Sequence, residues 1–303
     1  MSNKDVKSVY DRLGDDYRSS EHKSIRLSND VQRIAIIDSV RRQARRLGKP
    51  MEELDVLNIG VGTGQNRSDL CIYSLGLCGE RVSDHKLTDF DISDVMRYAA
   101  MKLIPSTISL ARTKGYERHV TSIRGDATFL SNHFEENMFD VVLAGLCDHI
   151  HPQEKMYREV FKVLRKGGIF IVTYPHKDVA TVIRTEIYGI DPNYTRYIID
   201  GKQYTLRSFA AKPRDVARLF KKTGYIVPPY VATPMHLMNV CKNSEPSMDE
   251  GLGYSRTLRV YDAPTAVIPQ TFMEAWKKMK AKVPCLGELP VLVFGEGAKP
   301  YTN

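Results

Sequence analysis

The chain has 303 residues, 42% hydrophobic and 26% charged, a composition that supports a buried core and excludes a fibrous or disordered protein. No run of about 18 apolar residues is present, which argues against a membrane-spanning helix. The five cysteines follow no C-x-x-C spacing, which argues against a zinc site or a disulfide framework. Forty-four Lys and Arg against 36 Asp and Glu leave a formal charge of +8, which favours an anionic partner, RNA first among them. The sequence opens Met-Ser-Asn-Lys-Asp, without an apolar signal core, so an intracellular, reducing location, cytoplasmic or nuclear, is expected.

Residues 1–50 are polar and helix-prone and read as an N-terminal helical extension. Within 31–47, Ile34, Ile37, Val40, Ala44 and Leu47 recur at helical spacing, with Arg33, Arg41, Arg42, Arg45 and Arg46 largely off that stripe. Those arginines are either the solvated face of a packing helix or a surface turned to RNA. Gly48 and Pro50 close the helix. The expected main domain occupies 51–303, with insertions at about 176–210 and 232–287.

Residues 55–59 predict a short apolar strand that runs into Gly60, Gly62 and Gly64. Alternate glycines allow positive φ and close approach of backbone to a ligand, which suits a nucleotide-sized cofactor. The spacing is not the G-x-G-x-x-G dinucleotide fingerprint, because the third glycine comes one residue early. A helical stretch then runs towards Leu77, and a second strand is predicted over 86–90, ending in Asp89-Phe-Asp91-Ile-Ser. A carboxylate at that strand end suits a pair of ribose hydroxyls, and either Asp89 or Asp91 is placed for it. The gap from Gly64 exceeds the roughly 20 residues usual in nucleotide folds, which implies an insertion around 71–84.

A third strand is predicted over 120–124, followed by Gly125-Asp126-Ala127. Phe139-Asp140-Val-Val-Leu-Ala-Gly145 opens the fourth, residues 153–164 form an amphipathic helix, and Arg165-Lys-Gly-Gly168 turns into a fifth strand over 169–173. Beyond Pro175, residues 188–204 read as an inserted loop or hairpin, and 213–223 as a helix closed by Gly224. Residues 225–231 and 289–294 are the expected sixth and seventh strands, paired antiparallel. Between them lie Trp276 and a cluster of Lys277, Lys278, Lys280 and Lys282.

G-x-G-x-G after the first strand resembles motif I of the class I S-adenosylmethionine (SAM)-dependent methyltransferases, and LRKGGIFIVTYP after an amphipathic helix is similar to another signature of that family. The resemblance runs in unbroken order from 55 to 175. It implies a Rossmann-like α/β fold: a seven-stranded, mostly parallel sheet with an antiparallel last strand and helices on both faces. It also implies SAM as cofactor. On this pattern the acid before Ile-Ser is Asp91, with Ile92 beside it, and Asp126 with Ala127 takes the adenine. Asn58, Gly60, Gly62, Gly64 and Gly145 complete the expected cofactor set. No metal and no membrane association is expected.

Within that family, Phe139-Asp140 continuing to Leu146-Cys-Asp-His149-Ile-His151 resembles motif IV of mRNA cap guanine-N7 methyltransferases, F-D-x-x-x-x-Q-F-x-x-H-Y. The resemblance implies that His149, Ile150 and Pro175 face the substrate. Residues 24–33 resemble that family's N-terminal helix, which puts Asn29 and Asp30 on the substrate and Arg33 on the cofactor. The capped 5′ end of RNA becomes the implied substrate. The departures are Gly145 for the glutamine, Ile150 for the tyrosine, Asn58 and Asn66 for the two motif I acids, and Thr63 for its lysine. Guanine N7 carries a lone pair and no proton, so methylation there needs positioning rather than a general base, and His149 is expected to position. The alternatives are a small-molecule N- or O-methyltransferase, for which His149 or His151 would serve as base, and a non-catalytic SAM-fold subunit that binds RNA or a partner.

Overall fold

The computed structural model describes residues 3–13, 23–62, 87–102, 120–187, 189–227, 232–236, 281 and 290–301; at 3–4, 23–34, 52, 102, 120, 187, 232–236 and 290–291 it describes the backbone alone. The frame is a seven-stranded sheet. Its strands are β1 (Val56–Ile59), β2 (Leu87–Asp91), β3 (Val120–Arg124), β4 (Phe139–Gly145), β5 (Leu164–Pro175), β8 (Ala232–His236) and β9 (Pro290–Ala298), in the order β3-β2-β1-β4-β5-β9-β8. The first five pair in parallel, and β9 enters antiparallel between β5 and β8. This is the expected fold.

The central strands are apolar on both faces, the pattern of a parallel sheet covered from both sides. Along β4 and β5 the side chains alternate between two cores. Val142, Ala144, Phe170, Val172 and Tyr174 face helices α4 (Gln153–Val163) and α6 (Pro213–Lys222). Val141, Leu143, Ile169 and Ile171 face α2 (Lys23–Leu47), whose Ile36, Ile37, Val40 and Ala44 are buried. Helix α6 seats deeply because β9 presents glycines: a Cβ at Gly297 would come within 2.4 Å of Phe220, and one at Gly295 within 2.5 Å of Val216.

Two strands differ from expectation. Strand β5 starts at Leu164, opposite Phe139, and resumes register at Ile169 opposite Val141, so the expected Arg165–Gly168 turn is a bulge within the strand, with Gly167 at φ +76°. A further sheet strand is Ala232–His236; of the expected strand over 225–231, residues 228–231 lie outside the described residues. Tyr225 is drawn into the core, where its hydroxyl donates to the Tyr157 carbonyl at 3.0 Å, and Ile226 makes a single bridge to Ala298.

The carboxyl ends of β1 to β4 share one edge, and two further elements lie over it. One is α1 (Asn3–Leu13); the other is a hairpin of β6 (Tyr194–Ile199) and β7 (Lys202–Arg207), where sequence reading left loop or hairpin open. Val6, Val9 and Leu13 of α1 join Tyr197, Ile199 and Leu206 of the hairpin, with Met96 of α3 (Asp94–Lys102), in a separate apolar cluster. Gly64, the predicted helix after it, the 71–84 insertion, Trp276 and the Lys277–Lys282 cluster lie outside the described residues. No helix among the described residues is long and apolar enough to cross a membrane.

Candidate functional site

The carboxyl edge opens into a cleft of about 690 Å³, counted to its mouth. Its floor is the glycine turn after β1. Gly60 and Gly62 have φ of +62° and +52°, and the Gly60 amide donates to the Phe90 carbonyl at 2.8 Å. A Cβ at Gly60 would sit 2.5 Å from the Cys147 Sγ, so conformation and space both call for glycine.

The end of β2 supplies the first carboxylate. Asp91 is buried, yet borders the cleft beside Ile92; it accepts from the Gly62 amide at 3.1 Å and the Ser93 amide at 2.9 Å. Burial pushes its pKa up to about 6; the amides pull it down, and neighbouring Asp89 pushes it further up. Asp89 itself is fully buried inside the sheet. There it accepts from the Asn58 side-chain amide at 3.1 Å, across the β1–β2 register. Asn58 therefore lies beneath the cleft, not on its wall, and its Oδ1 has no hydrogen-bond partner.

At the end of β3, Asp126 and Ala127 line the same cleft. The Asp126 carboxylate caps the short 3-10 helix Ala127–Asn132, accepting from the amide and hydroxyl of Thr128, each at 2.9 Å. Gly125 lets this turn close on the Phe90 ring, which a Cβ would approach to 2.3 Å.

The segment after β4 forms the remaining wall: Gly145, Leu146, Cys147, His149 and Ile150. Leu146 has φ +54°, a left-handed conformation that costs a non-glycine residue free energy. It is held by the hydroxyl and carbonyl of Thr173, which accept from its amide at 2.9 and 3.1 Å. Below, the Gln153 side-chain amide donates to the carbonyls of Cys147 and Ile150 at 3.0 and 2.9 Å. Burial pushes the Cys147 thiol far above its ordinary pKa, so it packs and does not react.

His149 is only 4% exposed, and both ring nitrogens are engaged. Nδ1 donates to the Arg207 carbonyl at 2.7 Å, because a carbonyl can only accept. Nε2 lies 2.8 Å from the Tyr197 hydroxyl and 3.7 Å from the Asp148 carboxylate. Both partners belong to the hairpin. Nearby Asp148 is buried and accepts from the Ser208 hydroxyl, which in turn accepts from Arg184 at 2.7 Å; Arg184 also donates to the Pro192 carbonyl at 2.6 Å and Thr195 at 3.1 Å. This buried chain ties the β4 segment to the hairpin.

The roof of the cleft is Val6 and Tyr10 of α1, with the Tyr10 ring 6.1 Å from His149. Helix α1 is anchored where the Ser93 hydroxyl donates to Asp11 at 2.6 Å. Sequence reading assigned no site role to α1 or the hairpin, although the Val6-Val9-Leu13 spacing marks a helix with one apolar face. Of the residues it did select, Gly60, Gly62, Asp91, Ile92, Asp126, Ala127, Gly145, His149 and Ile150 meet in the cleft. Pro175 ends β5 opposite Leu292 and does not line it. Asn29, Asp30 and Arg33 lie on α2, and their side chains are outside the description, as is Gly64. Among the described residues no group of three or more His, Cys, Asp or Glu could hold a metal ion.

Residues 57–172, the span that builds these walls, match a family model described as a methyltransferase domain. The chain is 28% identical over 171 residues to the sterol 24-C-methyltransferase erg6 of Schizosaccharomyces pombe, covering 54% of this chain and 40% of that protein. It is 27% identical over 120 residues to the enzyme of the same name from Aspergillus fumigatus, covering 39% and 27%. The chain thus spans less than half the length of the curated relatives it matches. Among solved structures it is similar to the [4+2]-cyclase SpnF, with a TM-score of 0.53, 15% identity and 99% and 97% of the two chains covered. It is also similar to a sarcosine dimethylglycine methyltransferase, so described, of Galdieria sulphuraria, with a TM-score of 0.51, 12% identity and 88% and 86% covered. These two likenesses are of fold alone.

Proposed function

We propose that this chain is a methyltransferase that takes SAM as its cofactor and methylates a small molecule held beneath the α1–hairpin roof. The residues fit the cofactor. Two positive-φ glycines leave backbone open to it, and a carboxylate stands at the end of each of the next two strands. In this reading Asp91 accepts the ribose hydroxyls, Asp126 faces the adenine, and Gly60, Gly62 and Gly145 line the methionine end. SAM supplies an electrophilic methyl group on a positively charged sulfur.

The observation that carries the small acceptor is the roof itself. Val6, Tyr10, Met96, Leu146 and Ile150 give the cleft an apolar lining, and the hairpin covers His149 to 4% exposure. An apolar cleft partly covered by this roof holds an acceptor in line with the methyl group, which supplies much of the barrier reduction in a methyl transfer. With both nitrogens bonded, His149 acts by position, fixing the wall against which the acceptor lies. Both curated relatives are sterol methyltransferases, which supports an apolar acceptor.

The mRNA cap guanine remains the second reading, favoured by the placement of His149 in the cleft at the end of β4. The basic helix does not support it. Arg42 pairs with Asp38 and with Glu296, the latter at 2.9 Å. Arg46 bonds Gln43 and the Gly167 carbonyl, and Lys49 pairs with Asp140 at 3.2 Å. Gly167 and Asp140 lie at the amino ends of β5 and β4, so this charge serves the edge of the sheet opposite the cleft.

The test is transfer of labelled methyl from SAM to three acceptor sets: sterols and other small apolar amines and alkenes, capped RNA, and uncapped RNA. Label in the small-molecule fraction alone supports the proposal. Label in capped but not uncapped RNA overturns it in favour of the cap reading.

A further inference from the structure

A second cleft lies behind the β4 segment. It is larger and more open than the first, about 1740 Å³ counted to its mouth, and is walled by the start of α4, by α5 (Lys177–Val182), by the chain leaving β7, and by α6. The two clefts are back to back across one stretch of chain: His149 and Ile150 line the first, His151, Pro152 and Gln153 the second.

The charge in the second cleft is lopsided. Lys177, Arg207 and Arg218 line it, against the single carboxylate of Asp215. Lys177 and Arg207 have no carboxylate within ion-pair distance among the described residues. Arg218 is 73% exposed and reaches Asp215 only at 3.9 Å. Asp215 is already occupied, since it accepts from the Lys212 amide at 3.0 Å. The other nearby acid, Asp178, is paired with Lys212 at 2.8 Å. Three cations against one carboxylate leave a net positive charge on a concave surface, which focuses a positive field into it. Guanidinium and ammonium groups are the donors that suit phosphate oxygens.

We propose that this cleft binds the phosphate group of a small organic phosphate, held by Lys177, Arg207 and Arg218. The site is separate from the cofactor's and does not depend on the acceptor assigned above. It is joined to the first cleft by one residue. Arg207 lines the second cleft, and its carbonyl accepts the Nδ1 proton of His149 at 2.7 Å. A ligand that fixes the Arg207 side chain therefore also steadies the end of β7 that holds His149.

The probe is inorganic pyrophosphate, titrated calorimetrically into the SAM-saturated full chain so that the cofactor cleft is filled. Saturable one-to-one binding is expected, weakened at least tenfold by Arg207→Gln and by Lys177→Gln. Arg45→Gln, an equal loss of charge on the far side of the sheet, should change it less than twofold. If Arg207→Gln proves unstable, Arg218→Gln and Lys177→Gln, both on exposed helix positions, carry the test. The proposal is overturned by absence of saturable binding, by equal weakening in Arg45→Gln, or by loss of pyrophosphate binding when SAM is added. It is also overturned if a short single-stranded RNA binds far more tightly with a steep salt dependence, since the surface would then be a polyanion track.

Discussion

Under the proposed ribose assignment, Asp91 links cofactor binding to pH. Without ligand its carboxyl is pushed from 3.8 to about 6 by burial. That shift corresponds to about 3 kcal/mol disfavouring the ionised form. Ribose hydroxyls donate hydrogen bonds and so favour the carboxylate, which means that SAM binds the ionised protein and drives off a proton wherever Asp91 is still protonated. A group with a pKa of about 6 is roughly nine-tenths ionised at pH 7 and one-tenth at pH 5, so SAM affinity should fall about tenfold between them. Calorimetry at pH 5.5 in buffers of different ionisation enthalpy should show proton release on binding. Asp91→Asn should lose about 1.5–3 kcal/mol of affinity at pH 7, the scale of hydrogen bonds to a charged group, and should lose the pH dependence as well. Stability of the free protein runs the other way. Because the native pKa lies above the unfolded one, the native state binds more protons between about pH 4 and 6, and the penalty of burying this charge is full above that window and relieved as pH falls through it. The difference in melting temperature between wild type and Asp91→Asn isolates this group from carboxylates such as Asp140 and Glu159, whose pKa values are lowered. Affinity that stays flat from pH 7 to 5, or an Asp91→Asn variant that keeps the slope, would refute the ribose assignment.

Asn58→Asp should destabilise the chain by about 2–4 kcal/mol at pH 7, since it sets a second carboxylate against fully buried Asp89; denaturant titration checks this, and an unchanged midpoint would mean that the pair tolerates like charge. Gly60→Ala should cost at least about 1–2 kcal/mol from its φ of +62° alone, and its collision with Cys147 should weaken SAM binding further; a Gly60→Ala, Cys147→Ala double variant that recovers no stability would show that the close approach is unimportant. Tyr197→Phe removes the hydroxyl partner of His149 Nε2 and should cost about 1 kcal/mol of stability, while slowing methyl transfer more than it weakens SAM binding. His149→Ala leaves the Tyr197 hydroxyl and Arg207 carbonyl without their ring partner and should cost about 2–4 kcal/mol; an unaltered melting curve would place those groups in contact with solvent.

The sheet was legible because its signals are local. A strand ending in a positive-φ glycine turn, or in Asp91-Ile-Ser, carries its own punctuation, and β4 with its unbroken apolar run reads as a strand buried on both faces. The roof was not legible, because nothing in Val6 or Tyr10 says which distant surface α1 will cover, and nothing in Tyr197 names His149 as its partner 48 residues away. The pair Asn58–Asp89 shows the same limit. In the sequence Asn58 is a departure from a motif. In the sheet it sits in register with Asp89, where a second acid would be repelled and an amide donates.

The segment from Leu146 to Ile150 is fixed from three directions. Thr173 holds the left-handed Leu146 from the neighbouring strand, Gln153 holds the carbonyls of Cys147 and Ile150 from α4, and the hairpin holds His149 through Tyr197 and Arg207. The Arg184–Ser208–Asp148 chain adds a fourth tie, with an arginine buried to 7% exposure and its pKa lowered by that burial. Burying an arginine is costly unless it is bonded, and this one is bonded to carbonyl and hydroxyl oxygens so that hairpin and wall move as one body. Such a wall suits chemistry that requires placement more than proton transfer. A base must keep a lone pair available and be free to change its partner, whereas His149 has committed one nitrogen to a carbonyl and the other to a phenol. The acceptor under the proposed function must then bring its own electron pair, on a nitrogen or sulfur that needs no deprotonation. The protein's share of the reaction is the apolar, rigid space in which that pair meets the methyl group.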